Sequence, residues 1–418
     1  MNVLIKSAII IDTKSEFHNL TQDVLIENGK ITDIAKTIKN TNNYQEVNLE
    51  NLHISQGWFD SSVSFGEPGF EERETIKNGL RAAANSGFTT IALNPNTNPI
   101  LDSTSDITFI KAKASNSSVN VLPIGALTIG SKGIDLAEIY DMSTSGAVAF
   151  YDYKKPISNP NLMKIALQYA SNFDGLVLSF PQENKISGQG VMNENITSTT
   201  LGLKGNPSLA EELQVARDLF LLEYTGGKLH IPTISTAKTV ELIREAKKKK
   251  LNITCSVAIH NLFFADEALN SFDTNFKVLP PLRTQKDIDA LIEGVKDGTI
   301  DMVTSDHTPI DVEEKKVEFD HANYGTIGLE SAFGALQTIF TTKKSIDILT
   351  KGKQRFGIES NPINIGNKAN ITLFNPDSKY TFGKNNITSK SKNAIFEGAD
   401  LKGNVYGIIA NNKISLNK

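Results

Sequence analysis

A chain of 418 residues is longer than one small domain needs and suits a barrel with an attached second unit. With 39% hydrophobic and 22% charged residues it excludes wholesale disorder, and a formal charge of −4 gives no electrostatic footprint for nucleic acid or an anionic membrane. One cysteine, Cys255, excludes an intrachain disulfide, and no apolar run approaches the roughly 20 residues of a membrane span. The opening Met1-Asn2-Val3-Leu4-Ile5-Lys6 lacks the basic and apolar regions of a secretory leader, so a cytoplasmic location is expected.

The first fifty residues alternate in short β-like runs, Val3-Leu4-Ile5, Ala8-Ile9-Ile10-Ile11 and Asp23-Val24-Leu25-Ile26, with a turn at Glu27-Asn28-Gly29-Lys30. From about Leu52 to Asn364 short apolar strands alternate with helical stretches. Helix-like Glu74 to Asn85 precedes the strand Thr89–Leu93, and Asp106 to Ala114 precedes Val119–Ile124. Gly146–Phe150, Leu176–Phe180, Leu229–Pro232 and Ile253–Val257 continue the series, and Val240 to Lys249 reads as an amphipathic helix with a basic end. Roughly eight such units predict an α/β chain built on a parallel (β/α)8 TIM barrel. Beyond it, Ala369–Phe374 and Val405–Ala410 return to the β pattern of the N-terminus. Lone strands would leave backbone groups unpaired, so both ends are expected to build one small composite β-sandwich, from residues 1–51 and 365–418 around a barrel at 52–364.

Several segments resemble the bacterial form of dihydroorotase, a metal-dependent hydrolase of the cyclic amidohydrolase superfamily. Gly57-Trp58-Phe59-Asp60-Ser61-Ser62-Val63-Ser64-Phe65-Gly66-Glu67-Pro68-Gly69 is similar to the signature in which a strand ends in His-x-His, followed by an arginine and Glu-Pro-Gly. Asn94-Pro95-Asn96, Gly146–Phe150, Pro207–Glu212, Ser235-Thr236, Pro280–Arg283, Ser305-Asp306-His307-Thr308-Pro309 and Gly328-Leu329-Glu330 follow the same family in order and spacing, over nearly the whole chain.

Opening or closing a cyclic amide needs a nucleophile at neutral pH and a polarised carbonyl, and a bound zinc ion supplies both. Histidines at i and i+2 of one strand point to the same side and clasp the metal at the barrel mouth. The resemblance puts Ser62 and Ser64 at those two positions, Phe180 (or Ser179) at a third and Thr233 at a fourth, with His230 matching a strand-start histidine. Asp152 and Asp306 retain carboxylates at family ligand positions, Asp306 being the one that also shuttles a proton. Two carboxylates and hydroxyls are poor zinc donors. No cofactor is therefore expected, with zinc only if the family activity persists. Substrate positions have changed too: the arginine that pairs with the substrate carboxylate falls on Gly66, and Leu279 and Ile310 replace an asparagine and a histidine, while Asn96 and His307 remain as substrate-binding candidates.

Each retained residue also has a structural reading. Asp152 can cap a turn, Asn96 can hold its own loop, His260 can line the mouth or brace it, and His307 can bond within the barrel rather than pair with Asp306 in acid–base work. The leading expectation is a pseudoenzyme of de novo pyrimidine (UMP) biosynthesis. The resemblance implies that it would act as a structural partner of aspartate transcarbamoylase, in a homo-oligomer, with no nucleic acid and no membrane. The alternatives are an active dihydroorotase with an altered metal site, interconverting carbamoyl aspartate and dihydroorotate, and a repurposed amidohydrolase or small-molecule binder.

Overall fold

Eight short strands lie parallel in a nearly closed ring in this computed structural model, which describes residues 1–417. In chain order they are Trp58–Val63, Phe88–Leu93, Asn120–Gly125, Ala149–Phe150, Leu176–Leu178, Lys228–Ile231, Ile253–Ala258 and Met302–Thr304, each hydrogen-bonded to the next. The ring closes just beyond the regular strands, where Val63 bridges His307 in parallel and the Ser64 amide donates to the His307 carbonyl at 2.7 Å. The expected (β/α)8 barrel is therefore present. Its strands are buried on both faces, and Leu176–Leu178 among them reads as an unbroken apolar run.

Helices pack outside the strands, and the sequence marks their ends. Ile76–Asn85 starts at Thr75, whose hydroxyl accepts from the Asn78 amide at 3.2 Å. Gln285–Asp297 starts with a Thr284–Asp287 capping box and stops at Gly298, which takes the left-handed conformation that ends helices. The basic run after Ala237–Lys248 is spent on ion pairs, with Lys247 on Asp301 at 2.7 Å and Lys249 on Glu223 at 3.0 Å. One excursion has no counterpart in the sequence pattern. Between the fifth strand and helix Ser208–Thr225 the chain forms two short helices and a two-stranded parallel ribbon, Met192–Asn193 with Gly205–Asn206.

Both chain ends build one mixed sheet. Its order runs Lys413–Leu416, Asp400–Ala410, Ile371–Thr381, His53–Gln56, Val3–Ile10, Thr21–Glu27 and Lys30–Ala35, with Gln45–Val47 added on Val3–Ile10. His53–Gln56 pairs with Ile371–Phe374, so the chain leaves this sheet and enters the barrel at Gly57. Val3, Ile5, Val24, Ile26, Ile54, Ile371 and Leu373 form its separate apolar core.

The seam between first and last barrel strands rests on Asp60, which is buried. One carboxylate oxygen accepts from the Ser62 amide at 3.0 Å and from the Thr304 hydroxyl; the other accepts from the Ser305 amide at 2.9 Å. Burial pushes this carboxyl above its ordinary value, and these donors pull against that shift. Replacing Asp60 by Ala strands several buried donors at about 1–3 kcal/mol each, so we expect a loss of at least about 3 kcal/mol in urea unfolding. A loss near zero contradicts the role.

Candidate functional site at the barrel mouth

The mouth is formed by residues that follow the C-terminal ends of the strands, the place where barrel enzymes do chemistry. Asp306 lies just after the eighth strand, fully buried. Its Oδ1 accepts from the Ser62 hydroxyl at 3.2 Å and its Oδ2 from the Lys154 ammonium at 2.8 Å. Lys154 follows the fourth strand, its side chain is only 10% exposed, and its ammonium sits 5.3 Å from the Tyr153 ring centroid. Burial pushes the Asp306 carboxyl up, while Lys154 and Ser62 pull it back. Burial works against the Lys154 charge as well, yet the Asp306 carboxylate holds the ammonium above its ordinary value. At 2.8 Å the two groups have the geometry of an ion pair.

Both partners, and Thr233, adopt left-handed backbone conformations, with φ of 53° at Lys154, 49° at Asp306 and 48° at Thr233. Such conformations cost of order 1 kcal/mol each for residues with a Cβ, and surrounding structure must hold them. Here they aim the Lys154 and Asp306 side chains at one another across the mouth.

The positions that the resemblance assigns to metal ligands have other occupations. Ser62 and Ser64 do face one way, and the Asn94 amide donates to both hydroxyls at 3.1 and 3.2 Å. Phe180 is buried in an apolar plug with Leu178, Tyr151, Ala149 and Ile124, with Tyr153 and Leu279 against it. The neighbouring Ser179 instead donates to Asp218 at 2.6 Å, away from Asp306. The Thr233 hydroxyl is buried without a partner. Asp152, the second retained carboxylate, accepts from the Leu127 and Thr128 amides at 3.0 and 2.9 Å and from the Thr128 hydroxyl. It pins the loop after the third strand. The structure does not gather it with Asp306 into one cluster.

His230, His260 and His307 are buried. His230 bonds Thr254 and Ser256 at 2.9 and 3.2 Å, and burial holds it well below its ordinary value. His307 accepts through Nδ1 from the Gly328 amide at 3.1 Å, at the start of helix Leu329–Ile339, which leaves the proton on an unpartnered Nε2. Burial pulls it down to about 4. His260 has no partner on either ring nitrogen, and burial with the nearby Lys154 charge pulls it down to about 3.

The positions that the resemblance assigns to substrate binding have other occupations too. At Gly66 a Cβ would lie 1.7 Å from the Phe70 carbonyl oxygen, so this backbone admits no side chain there, least of all an arginine. Ile310 is buried, its amide donating to Asn393 at 3.1 Å. Asn96 lines a shallow depression of about 260 Å³ with Phe70, Asn98 and Tyr153. By contrast, retained motif residues away from the mouth carry scaffold bonds. Glu211 accepts from the Ser235 and Thr236 amides at 2.8 and 3.0 Å, and Arg283 donates to Ser235, Asn193 and the Asn206 carbonyl. Glu74 and Glu330 fasten the segment around Ser389 and Lys390 to the barrel.

Sequence reasoning did not single out Lys154. The available signal was chemical: a carboxylate kept in an apolar mouth needs a cation, and Lys154 stands two residues after Asp152 at a strand's C-terminal end.

Solved hydantoinases share this barrel-and-sheet fold. It superposes on L-hydantoinase (dihydropyrimidinase) from Arthrobacter aurescens with a TM-score of 0.87 at 19% identity, over 100% of this chain and 96% of that one. Dihydropyrimidinase from Brevibacillus agri gives 0.82 at 19% identity, over 100% and 95%. At that identity the likeness establishes the fold alone. The sequence goes further. Residues 53–239 match the Dihydro-orotase-like family. The dihydroorotase of Caldanaerobacter subterraneus subsp. tengcongensis is 41% identical over 100% of this chain and 98% of its own length. That of Pelotomaculum thermopropionicum is 42% identical over 99% and 98%. The chain belongs to the dihydroorotase family.

The side chains at the mouth do not fit the zinc ion that the family resemblance implies. Among the described residues no group of three or more His, Cys, Asp or Glu side chains converges on one point. A dication on Asp306 would share its carboxylate with the Lys154 ammonium, which lies 2.8 Å from Oδ2, and two cations on one carboxylate repel at low dielectric.

Two outcomes test this electrostatic account. Lys154→Met leaves Asp306 buried and unpaired, with an expected loss of about 3–5 kcal/mol at pH 7. Asp306 then titrates still higher, and a raised folded-state acid destabilises as pH rises through it, so the deficit should shrink on acidification. A pH-independent deficit would argue against the ion pair. His307 has the opposite sign: its folded value of about 4 lies below the ordinary 6.5, so its stabilisation is full above pH 6.5 and falls away towards pH 4. Between pH 7.5 and 5.5 the wild type should lose about 1.4 kcal/mol more than His307→Asn. Equal losses would mean that His307 titrates normally.

Proposed function

We propose that this chain is a non-catalytic member of the dihydroorotase family, kept in pyrimidine biosynthesis as a structural subunit beside aspartate transcarbamoylase. The observation that carries the non-catalytic half is the Lys154–Asp306 ion pair at 2.8 Å. It puts a protein cation against the carboxylate that would otherwise bind metal and relay a proton. Phe180 and Tyr151 add apolar bulk, and Gly66 removes the substrate clamp. Activity on a cyclic amide needs metal binding, an open site and a substrate clamp, and these three features oppose each in turn.

The structural half is supported by the division of labour among the retained motifs. Glu74, Glu211, Arg283 and Glu330 keep their buried scaffold bonds while the chemical positions have changed. A scaffold kept without its chemistry is what a partner subunit requires. The location expected for such a subunit is cytoplasmic; among the described residues no helix is long and apolar enough to cross a membrane.

The test joins metal analysis, turnover and binding. Purified protein incubated with zinc and desalted should hold well below one metal per chain, and should not interconvert carbamoyl aspartate and dihydroorotate. It should co-migrate with aspartate transcarbamoylase from the same organism in gel filtration. Stoichiometric zinc with turnover overturns the non-catalytic reading, and failure to co-migrate overturns the partnership.

A further inference from the structure

Lys277, Lys315 and Lys353 are all buried, and the first two are satisfied by backbone. Lys277 donates to the Phe319 and Asp320 carbonyls at 2.7 and 2.9 Å, and Lys315 to the Thr274 carbonyl at 2.8 Å. Lys353 differs. It is 3% exposed, and among the described residues its ammonium has neither a hydrogen-bond acceptor nor an ion-pair partner. A buried charge without a partner is costly, so the group calls for an acceptor from outside the chain.

The place for that acceptor is at hand. Lys353 lines a cavity of about 510 Å³ at the seam between the barrel and the terminal sheet. The short helix Gly352–Phe356 that carries it closes the barrel floor. Arg355 of the same turn donates to the Leu229 and Asn252 carbonyls at 2.7 and 2.9 Å, at the N-terminal ends of the sixth and seventh strands. The cavity therefore lies at the opposite end of the barrel from Asp306. Its far wall is Gln56 with the segment Ile11–Lys14, which follows strand Val3–Ile10.

The lining sets the class of ligand. Buried Asp12 already accepts from the Gln56 amide at 2.8 Å and from the Lys14 and Ile363 backbone amides at 3.0 and 2.9 Å. Asp347 leans to Lys344 at 4.0 Å, and Glu359 is exposed at the rim. Lys14, Lys343 and Lys351 add three exposed ammoniums to the same lining, so its uncommitted charge is positive. Burial pulls the Lys353 ammonium down to about 8 against the attraction of Asp12, and an anion held on it offsets the lost hydration.

We propose that this cavity binds a small phosphate monoester, its phosphate on the Lys353 ammonium and its body against Ile346 and Ile358. Lysine binds phosphate as a point charge, and a dianion suits one buried ammonium with three more at the rim better than a carboxylate does. The volume falls among small-molecule sites and is more than a bare phosphate ion needs. The site is independent of what the barrel mouth does.

Phenyl phosphate, which joins a dianion to an apolar body, serves as the probe. Titration calorimetry on the full chain in phosphate-free buffer should show one site per chain. Lys353→Met should weaken binding at least about tenfold. Because that change removes an unpaired buried charge, the variant should melt no lower than the wild type without ligand. Lys14→Met, at an exposed rim position, should weaken binding about threefold with an unchanged melt. Benzoate, with the same ring and a single charge, should bind at least about tenfold more weakly than phenyl phosphate. The proposal is overturned if phenyl phosphate gives no heat, if Lys353→Met binds it as the wild type does, or if benzoate binds as tightly. A Lys353→Met chain that melts below the wild type shows a structural ammonium instead, and overturns it as well.

Discussion

A carboxylate buried in an apolar barrel mouth needs a cation, and in this chain Lys154 is that cation. Asp306 is held between the eighth strand and the ring closure at His307, where water cannot stabilise its charge. In a metal-binding mouth the ion would serve both chemistry and charge balance. Here an ammonium at 2.8 Å balances the charge, on a backbone in the left-handed region. On the first strand Ser62 and Ser64 bond Asn94. Phe180, Tyr151 and Leu279 belong to one apolar cluster.

The replacement is coherent rather than scattered. Removing imidazoles while leaving Asp306 bare would strand a buried charge, at a cost of several kcal/mol. Removing the substrate arginine while leaving its loop open would expose a cavity; instead the backbone closes so tightly at Gly66 that a Cβ meets the Phe70 carbonyl. Asp152 has its own scaffold role against Leu127 and Thr128, so its retention needs no metal to explain it. The same holds for His307, which braces the start of a helix.

Most of the fold was legible because it is written in period and composition: short strands such as Leu176–Leu178 are apolar runs, and helical stretches alternate with them along the chain. The excursion between the fifth strand and its helix was not, because two-residue strands and one-turn helices carry no period to read. At the site, the common facing of Ser62 and Ser64 was legible, since strand alternation fixes where those side chains point. The separation of Asp152 from Asp306 was not legible, because it depends on which loop captures the Asp152 oxygens. The role of Lys154 was hidden for the same reason: its direction is set by a left-handed turn that nothing in Tyr153-Lys154-Lys155 announces.

The measurement that bears most directly on this account is a crystal structure of the protein grown with excess zinc, with anomalous data collected on both sides of the zinc edge. The account predicts the Lys154 ammonium against Asp306, with no anomalous peak in the mouth. A zinc peak at Asp306 with Lys154 swung away would contradict it.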